Sequence, residues 1–582
     1  MSGEYTVSGR VTHSDGTPAL DVTVMAIDVD IGADDPLGAT GTRPDGSFAI
    51  SAAASTLGAL EGTPEVRLSV FRNGDVIHEQ TVEPDPAVSV EITVEREEPL
   101  SMENVAEAMC NMHHGMTEQR GMRNVPSAPF HPGQGRFGRM FPYLEAADHP
   151  VGFLQDLGRP GGPLDESTAS RSVGPSSLPA GMAFLGQFID HDITLDPLSS
   201  LARRTDPDAT RNFRTPGLDL DSVYGLGPEA SPYLYESPMQ GGDSERLLVA
   251  TDGRADLPRN REGTALVGDH RNDENHILSQ FQYAMLEFHN AIVEWLPDSC
   301  SEAFDRANQL ARWHYHWVVL EEFLPAVCDE DVVDRVRENR QHYTVGHGDE
   351  PYMPLEFSVA AYRYGHSQIR QRYRVNAGTE RALFGRGDSG FGMGFEAPSE
   401  PELVDWRYLF DFGAEVDTQR ARKIDPLVAS DLLDLPFVDG DAEWESSLAS
   451  RNLVRGRQLQ LPSGQAVARA LGVDPLSNER IGFDQAIAEY ESEYDSLGAD
   501  TEAPLWYYVL AEAREHGDGD HLGPVGSRIV AETIVGLVES DPASFLTVEP
   551  NWTPELPAPH SGEGEFRTVD LLEFAVGGRN DA

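Results

Sequence analysis

The period of the apolar pattern changes once along this chain, and that change constrains the fold more than any other feature. Up to about residue 97, apolar and polar residues alternate as in half-buried strands. The runs are Tyr5, Val7 and Val11; Val22, Val24 and Ala26; Val66, Leu68 and Val70; and Val88, Val90, Ile92 and Val94. Asp15-Gly16, Asp45-Gly46 and Asn73-Gly74 lie between them and supply tight-turn chemistry. A small antiparallel β-sandwich over 1–97 is expected, followed by a linker at 98–107 that begins beside the charged run Glu95-Arg-Glu-Glu-Pro99. From 108 to 582 the spacing is mostly helical. Ile277, Leu278, Phe281, Met285, Phe288, Ile292 and Leu296 trace one face of a long helix. A second helix runs from Leu310 and ends near Pro325, and a third follows Gly523-Pro524 with Ile529, Val530, Ile534, Val535 and Val538 apolar. The fold class expected is multidomain: a small all-β sandwich, then a large mainly α-helical domain.

Charge narrows the class of partner. The chain has 97 acidic and 44 basic residues, a formal net charge of −53, and Lys423 is its only lysine. Carboxylates this dense repel one another in dilute buffer, and salt screens them. The acids run throughout rather than in one tail, so they read as the solvated surface of a halophilic protein, not as a site for basic partners. No basic stripe exists to meet phosphates, which excludes nucleic acid as a partner. Cys110, Cys300 and Cys328 are an odd number, far apart, and form no disulfide framework. The start Met1-Ser-Gly-Glu-Tyr-Thr-Val has no basic and apolar leader pattern. No run approaches ~18 consecutive apolar residues, so no membrane span is expected. The expected location is cytoplasmic, in a high-salt environment.

Three segments carry the chemistry: Gly186-Gln187-Phe188-Ile189-Asp190-His191-Asp192, Gly268-Asp-His-Arg-Asn-Asp-Glu274 and Tyr362-Arg-Tyr-Gly-His366. A neutral imidazole can shuttle a proton, a nearby guanidinium can stabilise a departing anion, and a second histidine can ligate a metal. Gln187 lies four residues before His191 and so shares its helix face. In order and internal register these segments resemble the site motifs of the animal-type haem peroxidases, the peroxidase–cyclooxygenase superfamily, over about 450 residues. The ends Leu505-Trp-Tyr-Tyr-Val-Leu510, Gly523-Pro-Val-Gly-Ser-Arg-Ile-Val-Ala-Glu532 and Phe566-Arg-Thr-Val-Asp-Leu571 resemble the prokaryotic branch.

The resemblance implies a haem b enzyme that reduces hydrogen peroxide and oxidises a small donor (halide, pseudohalide or phenol), with a role in the response to oxidative stress. His191 would be the distal acid/base, Arg271 its cationic partner and Gln187 the residue that orients a water or halide. His366 would be the proximal iron ligand and Asn452 would accept the hydrogen bond from its other nitrogen. Arg363 would lie on the cofactor, and Arg455 and Arg457 near its propionates. Asp190 and Glu274 match the carboxylates that become ester-linked to haem in some members; free hydrogen-bonding acids are the alternative. Asn275 stands where myeloperoxidase has its sulfonium-forming methionine, so no sulfonium link is expected. The family pattern Arg-Asp-His-Gly is replaced by Arg457-Gln-Leu-Gln460, which puts the local structure there in question.

Thr215-Pro-Gly-Leu-Asp-Leu-Asp221 resembles the family's calcium loop. By that resemblance Thr215, Gly217, Asp219 and Asp221 would join Asp192 in an all-oxygen cage for Ca2+. The segment Ser8-Gly-Arg-Val…Asp15-Gly-Thr-Pro18…Asp45-Gly-Ser-Phe48 resembles the carboxypeptidase regulatory-like, or transthyretin-like, module. Asp28, Asp30, Asp34 and Asp35 lack the glycine and distal glutamate of an EF-hand and read as a solvated loop. His314 and His316 face different ways on a helix and cannot share a metal. His113-His114 is explained by packing or exposure.

Two other functions compete. A haem-dependent fatty-acid dioxygenase would need its reactive tyrosine three residues before the proximal histidine, where this chain has Arg363. A binding or adhesion protein with a vestigial haem domain would not need His191, Arg271, His366 and Asn452 together.

Overall fold

The structure, a computed structural model, describes residues 4–94 and 136–577 apart from stretches within each, the longer ones being 54–64, 196–211, 385–393 and 491–501. The expected linker at 98–107, Cys110, His113-His114, Asp30 and Asp34 lie outside the described residues.

Seven strands form the first unit: β1 (Glu4–His13), β2 (Thr23–Val29), β3 (Asp35–Gly41), β4 (Ser47–Ala53), β5 (Glu65–Arg72), β6 (Asp75–Val82) and β7 (Ala87–Val94). They make two sheets, ordered β4-β1-β7 and β3-β2-β5-β6. The inward residues of both, among them Val7, Val11, Val24, Phe48, Val66, Leu68, Val70 and Ile92, form one apolar core. Each contributes about 1.5–3 kcal/mol when fully buried. The sandwich is not wholly antiparallel, as its alternation led one to expect. β1 and β7 pair in parallel, with Val7 opposite Val88 and Val11 opposite Ile92. Between them the chain crosses to the other sheet and back, and that crossover brings β7 in alongside β1 in the same direction.

The second unit is mainly helical, with its own core. Its site-bearing and framing helices are α1 (Gly181–Ile193), α2 (His276–Trp295), α3 (Ala303–Trp317), α4 (Leu448–Gln458), α5 (Leu505–Gly517), α6 (Pro524–Ser540) and α7 (Thr568–Val576). α2 is the central one and packs on α1, α3 and α7. It buries Ile277, Leu278, Phe281, Met285, Phe288 and Ile292, the face its period predicts, and truncating Phe281 would cost about 3–5 kcal/mol. The helix begun by α3 widens into a π-turn at Val318–Phe323 before a last turn at Leu324–Val327. Pro325 has no N–H to donate and its ring crowds the preceding turn, which accounts for the change of pitch. α1 opens on a glycine, Gly181, because a Cβ there would lie 2.3 Å from the Phe410 ring.

The altered segment after α4 keeps its register. Leu461 N donates to Gly456 O at 2.9 Å, closing the helix, and Gln460 takes a left-handed backbone with φ 57° to allow it. Among the described residues no helix is long and apolar enough to cross a membrane.

Candidate active site

α1 delivers Gln187, Asp190 and His191 from adjoining turns. Its end is set by Thr194, whose N–H and hydroxyl both donate to Asp190 O and whose hydroxyl also reaches Asp190 Oδ1 at 3.0 Å. Facing it is a 3-10 turn, His270–Asp273, capped by Asp269, which accepts from Arg271 N at 2.8 Å. Asn275 then caps α2 by accepting from Leu278 N, and its Nδ2 donates to Gln187 Oε1 at 3.1 Å. Gln187 Nε2 in turn donates to Glu274 Oε1 at 2.6 Å. His191 Nε2 stands 3.8 Å from that same oxygen. One cap residue thus locks the orientation of Gln187 beside His191 and Glu274.

Burial governs the protonation of this group. His191 is 5% exposed and is pushed down to about 3 by burial first and then by the Arg271 charge. Its imidazole is therefore neutral at ordinary pH. Burial raises Glu274 to about 7, against the pull of Arg271 and with help from Asp269 and Asp190. Asp190 is also raised by burial, which Arg271 and Arg363 oppose.

Arg271 does not bond the His191 ring. Its Nη2 donates to the backbone carbonyls of His191 and Thr194, and its Nε and Nη2 both meet Asp269. Nη1 has no protein partner among the described residues. Asp269 and Asn272, both fully buried, escaped the sequence reading. Asp269 anchors Arg271, and Asn272 Oδ1 lies 2.8 Å from His191 Nδ1. Both stand inside the second motif, and Asp269 carried a usable signal as a cap-type residue two before Arg271.

His366 lies in a short helix, Gly365–Gln368, that packs against α1. It is pushed down to about 3 by burial and then by Arg363. Asn452 on α4 reaches its Nδ1 at 2.9 Å. The expected direction is reversed: Nδ2 faces the ring, because Arg363 Nη1 donates to Asn452 Oδ1 at 2.7 Å and would clash with the amide nitrogen. Arg455 is half-buried on α4, three residues beyond Asn452. Arg457 is tied to Asp148 and the His149 carbonyl, so its charge is met by protein groups. Neutral His366 has no hydrogen-bond partner at Nε2 among the described residues. It stands beside Gly365, where a Cβ would meet open space, so there is room for a group at that nitrogen; with Asn452 Nδ2 on Nδ1 the ring's proton lies on Nε2, and ligation there would require the amide to turn over.

A second cluster lies under α1. Carboxylate oxygens of Asp192, Asp219 and Asp221 fall within 4.8 Å of one another. Leu220, left-handed at φ 58°, turns its N–H onto Asp192 Oδ2 at 3.2 Å, and Ser222 Oγ donates to Oδ1. Thr215 and Gly217 form a tight turn at the head of this loop, Gly217 N to Thr215 O at 2.8 Å. Burial and then mutual repulsion raise Asp192 well above the usual range and Asp219 to about 7. Arg214 is shared between Asp221 and Asp269 and offsets only part of this charge. Three crowded oxygen donors fit a hard dication. His316 holds the loop from outside, Nε2 to Leu218 O at 2.7 Å, whereas His314 bonds Leu310 O and the amides of Glu555 and Leu556. The two rings face apart.

The family model described as Animal haem peroxidase matches residues 200–542. That span begins nine residues after His191, so α1 rests on its own contacts. The chain is similar to chorion peroxidase of Drosophila melanogaster, 23% identical over 341 residues, which are 56% of this chain and 41% of that protein. It thus spans about two fifths of the length of this curated relative. Among solved structures it resembles peroxidase A of Dictyostelium discoideum, with a TM-score of 0.53 and 17% identity, over 76% of this chain and 94% of that one. A fatty acid alpha-dioxygenase of Arabidopsis thaliana aligns at a TM-score of 0.46 and 15% identity, over 72% and 76% of the two chains.

Proposed function

The chain belongs to the animal haem peroxidase family, and from that premise we propose that it reduces hydrogen peroxide and oxidises a small donor, a halide, pseudohalide or phenol. The observation that carries this reading is a neutral His191 with the Arg271 charge acting on it and an oriented Gln187 beside it, while His366 lies on a short helix packed against α1. When bound, haem supplies the redox centre that passes two electrons to peroxide and recovers them from the donor. His366 would hold its iron through Nε2 once the Asn452 amide turns its Oδ1 onto Nδ1 and takes the proton's hydrogen bond there, and Arg363 would lie beside it. His191 Nε2 takes the proton of the near peroxide oxygen and returns it to the far one, which leaves as water. Arg271 stabilises the charge developing on that departing oxygen. Asp190 and Glu274 would flank the haem edge, either as acids or as its ester partners. Asp192, Asp219 and Asp221, with Thr215 and Gly217, would hold Ca2+ and brace α1 below the distal base.

Arg363, three residues before His366, argues for a peroxidase over a dioxygenase, which needs a tyrosine there. The sandwich at 1–97 is read as an accessory domain and 108–582 as the catalytic one. Arg271→Ala tests the assignment: it should keep haem and slow the reaction with peroxide by two or more orders of magnitude in stopped flow. Equal rates would sink it. His366→Ala should lose stoichiometric haem, and an unchanged Soret band would remove His366 as the ligand.

A further inference from the structure

His191 can act on peroxide only if its Nε2 lone pair is free, so the site must decide which ring nitrogen carries the proton. A neutral imidazole places it on either, and the partner of the other nitrogen sets the choice. The partner of Nδ1 is Asn272, whose amide could present either an acceptor or a donor. A run of buried hydrogen bonds removes that freedom. Asn272 Nδ2 donates to Gln282 Oε1 at 2.7 Å, and Gln282 Nε2 donates to the Ser222 carbonyl at 3.4 Å. Asn272, Gln282 and Ser222 are all fully buried.

The backbone carbonyl is the fixed end, since it can only accept. It therefore requires the nitrogen of Gln282. That leaves Gln282 Oε1 facing Asn272, which must answer with its own nitrogen. Asn272 Oδ1 is then left for His191 Nδ1, at 2.8 Å. Turning both amides over would set Gln282 Oε1 against the Ser222 oxygen, two buried acceptors with no proton between them, which is disfavoured because neither can be satisfied. We propose that Asn272 is a positioning residue that holds His191 with its proton on Nδ1 and its Nε2 lone pair free. Gln282 and the Ser222 carbonyl give that hold its direction. The inference deepens the peroxidase reading of His191 and rests on it for its consequence, not for its geometry. A neutral amide suits the task better than a carboxylate, because it selects the tautomer without adding a charge. Ser222 also donates to Asp192, so the chain ends on the segment that follows the proposed Ca2+ loop.

The test is the nitrogen NMR of His191 in 15N-histidine-labelled, haem-loaded protein in its diamagnetic ferrous carbonyl form, with the haem-free protein alongside. The His191 signals are assigned by loss in His191→Gln. The parent should show a protonated Nδ1 and an unprotonated Nε2. Asn272→Ala should move the proton at least partly to Nε2 and slow the peroxide reaction tenfold or more, with the KM for the donor unchanged. Gln282→Met leaves Asn272 in place and should do the same more weakly, which covers a failure of Asn272→Ala to fold. Gln282→Glu, protonated in its buried position, can still donate to Ser222 and accept from Asn272, and should restore the parent tautomer. A parent with its proton on Nε2, or an Asn272→Ala protein that keeps Nδ1 fully protonated, would overturn the proposal. A merely structural Asn272 would lower the melting temperature and leave tautomer and peroxide rate alone, which also overturns it. A parent that shows the Nδ1 proton but does not consume peroxide would defeat the peroxidase reading while sustaining the tautomer assignment.

Discussion

The Asp269 carboxylate holds Arg271 by its Nε and Nη2, the shorter contact being 2.8 Å, and accepts Arg214 Nε on the same oxygen at 2.7 Å. Arg214 continues to Asp221 at 2.8 Å. Alternating charges thus run Asp221–Arg214–Asp269–Arg271, from the carboxylate cluster under α1 to the proposed peroxide-facing arginine. Burial would raise Asp269, but the two guanidinium charges outweigh it and hold it well below the usual carboxylate range. Asp269→Ala should therefore destabilise the protein by about 3–5 kcal/mol, the cost of leaving buried arginines unmatched. The sign with pH follows: a depressed carboxylate contributes stability above its unfolded pKa and loses it as pH falls through the folded one. Denaturant melts of parent and variant should converge in strong acid.

Calcium should raise the melting temperature steeply. Asp192, Asp219 and Asp221 repel one another in a buried site, and a dication bound at a hundred times its Kd would add about 2.7 kcal/mol. Chelator should lower the melting point of the parent and leave Asp219→Ala unmoved. A parent indifferent to chelator, with no calcium by elemental analysis, would remove the site.

Gln460→Gly should stabilise the protein by about 0.5–1 kcal/mol, because glycine takes the left-handed backbone without the Cβ clash that Gln460 bears. Urea melts decide it. No gain, or a loss, would mean that the Gln460 side chain offsets the strain.

Glu512 provides a pH prediction remote from the site. It caps α6 by accepting from Val525 N at 2.9 Å and Gly526 N at 3.3 Å, and Gly523 must stay glycine to let it approach. Burial pushes it up to about 8, against those amide hydrogen bonds. A raised pKa means stability that is full below the unfolded value and is lost as pH rises through about 8. Glu512→Gln keeps the acceptor and removes the proton. The difference in melting temperature between parent and variant should shift in favour of the variant as pH climbs toward 8.

Molar salt should stabilise the whole molecule. With 97 acids and 44 bases, the net charge of −53 stays uncompensated even where one arginine serves two acids. At ~1 M salt the Debye length is about 3 Å, and most of their repulsion is screened. Melting temperature should climb between dilute buffer and molar potassium chloride at constant calcium. A flat profile would refute salt adaptation.

What the chain determines by itself is whatever depends on near neighbours. The apolar period separates sandwich from helices and marks the buried face of α2. Spacings of three and four put Gln187, Asp190 and His191 on neighbouring turns of α1, and Asn275 is recognisable as a cap by its type and place. Contacts between distant segments were legible only through the resemblance of their motifs, and then without direction. Asn452 beside His366 is an example: the pairing was expected, but Arg363 decides which end of the amide faces the ring. The roles of Asp269 and Asn272, the Arg271 Nη1 left without a partner among the described residues, and the parallel β1–β7 pair belong to the tertiary structure alone. Each depends on where a second segment arrives, often some 80 residues away, as His191 and Asn272 do. Periodicity says which side of an element is buried. Only packing says which hydrogen-bonding atom waits there.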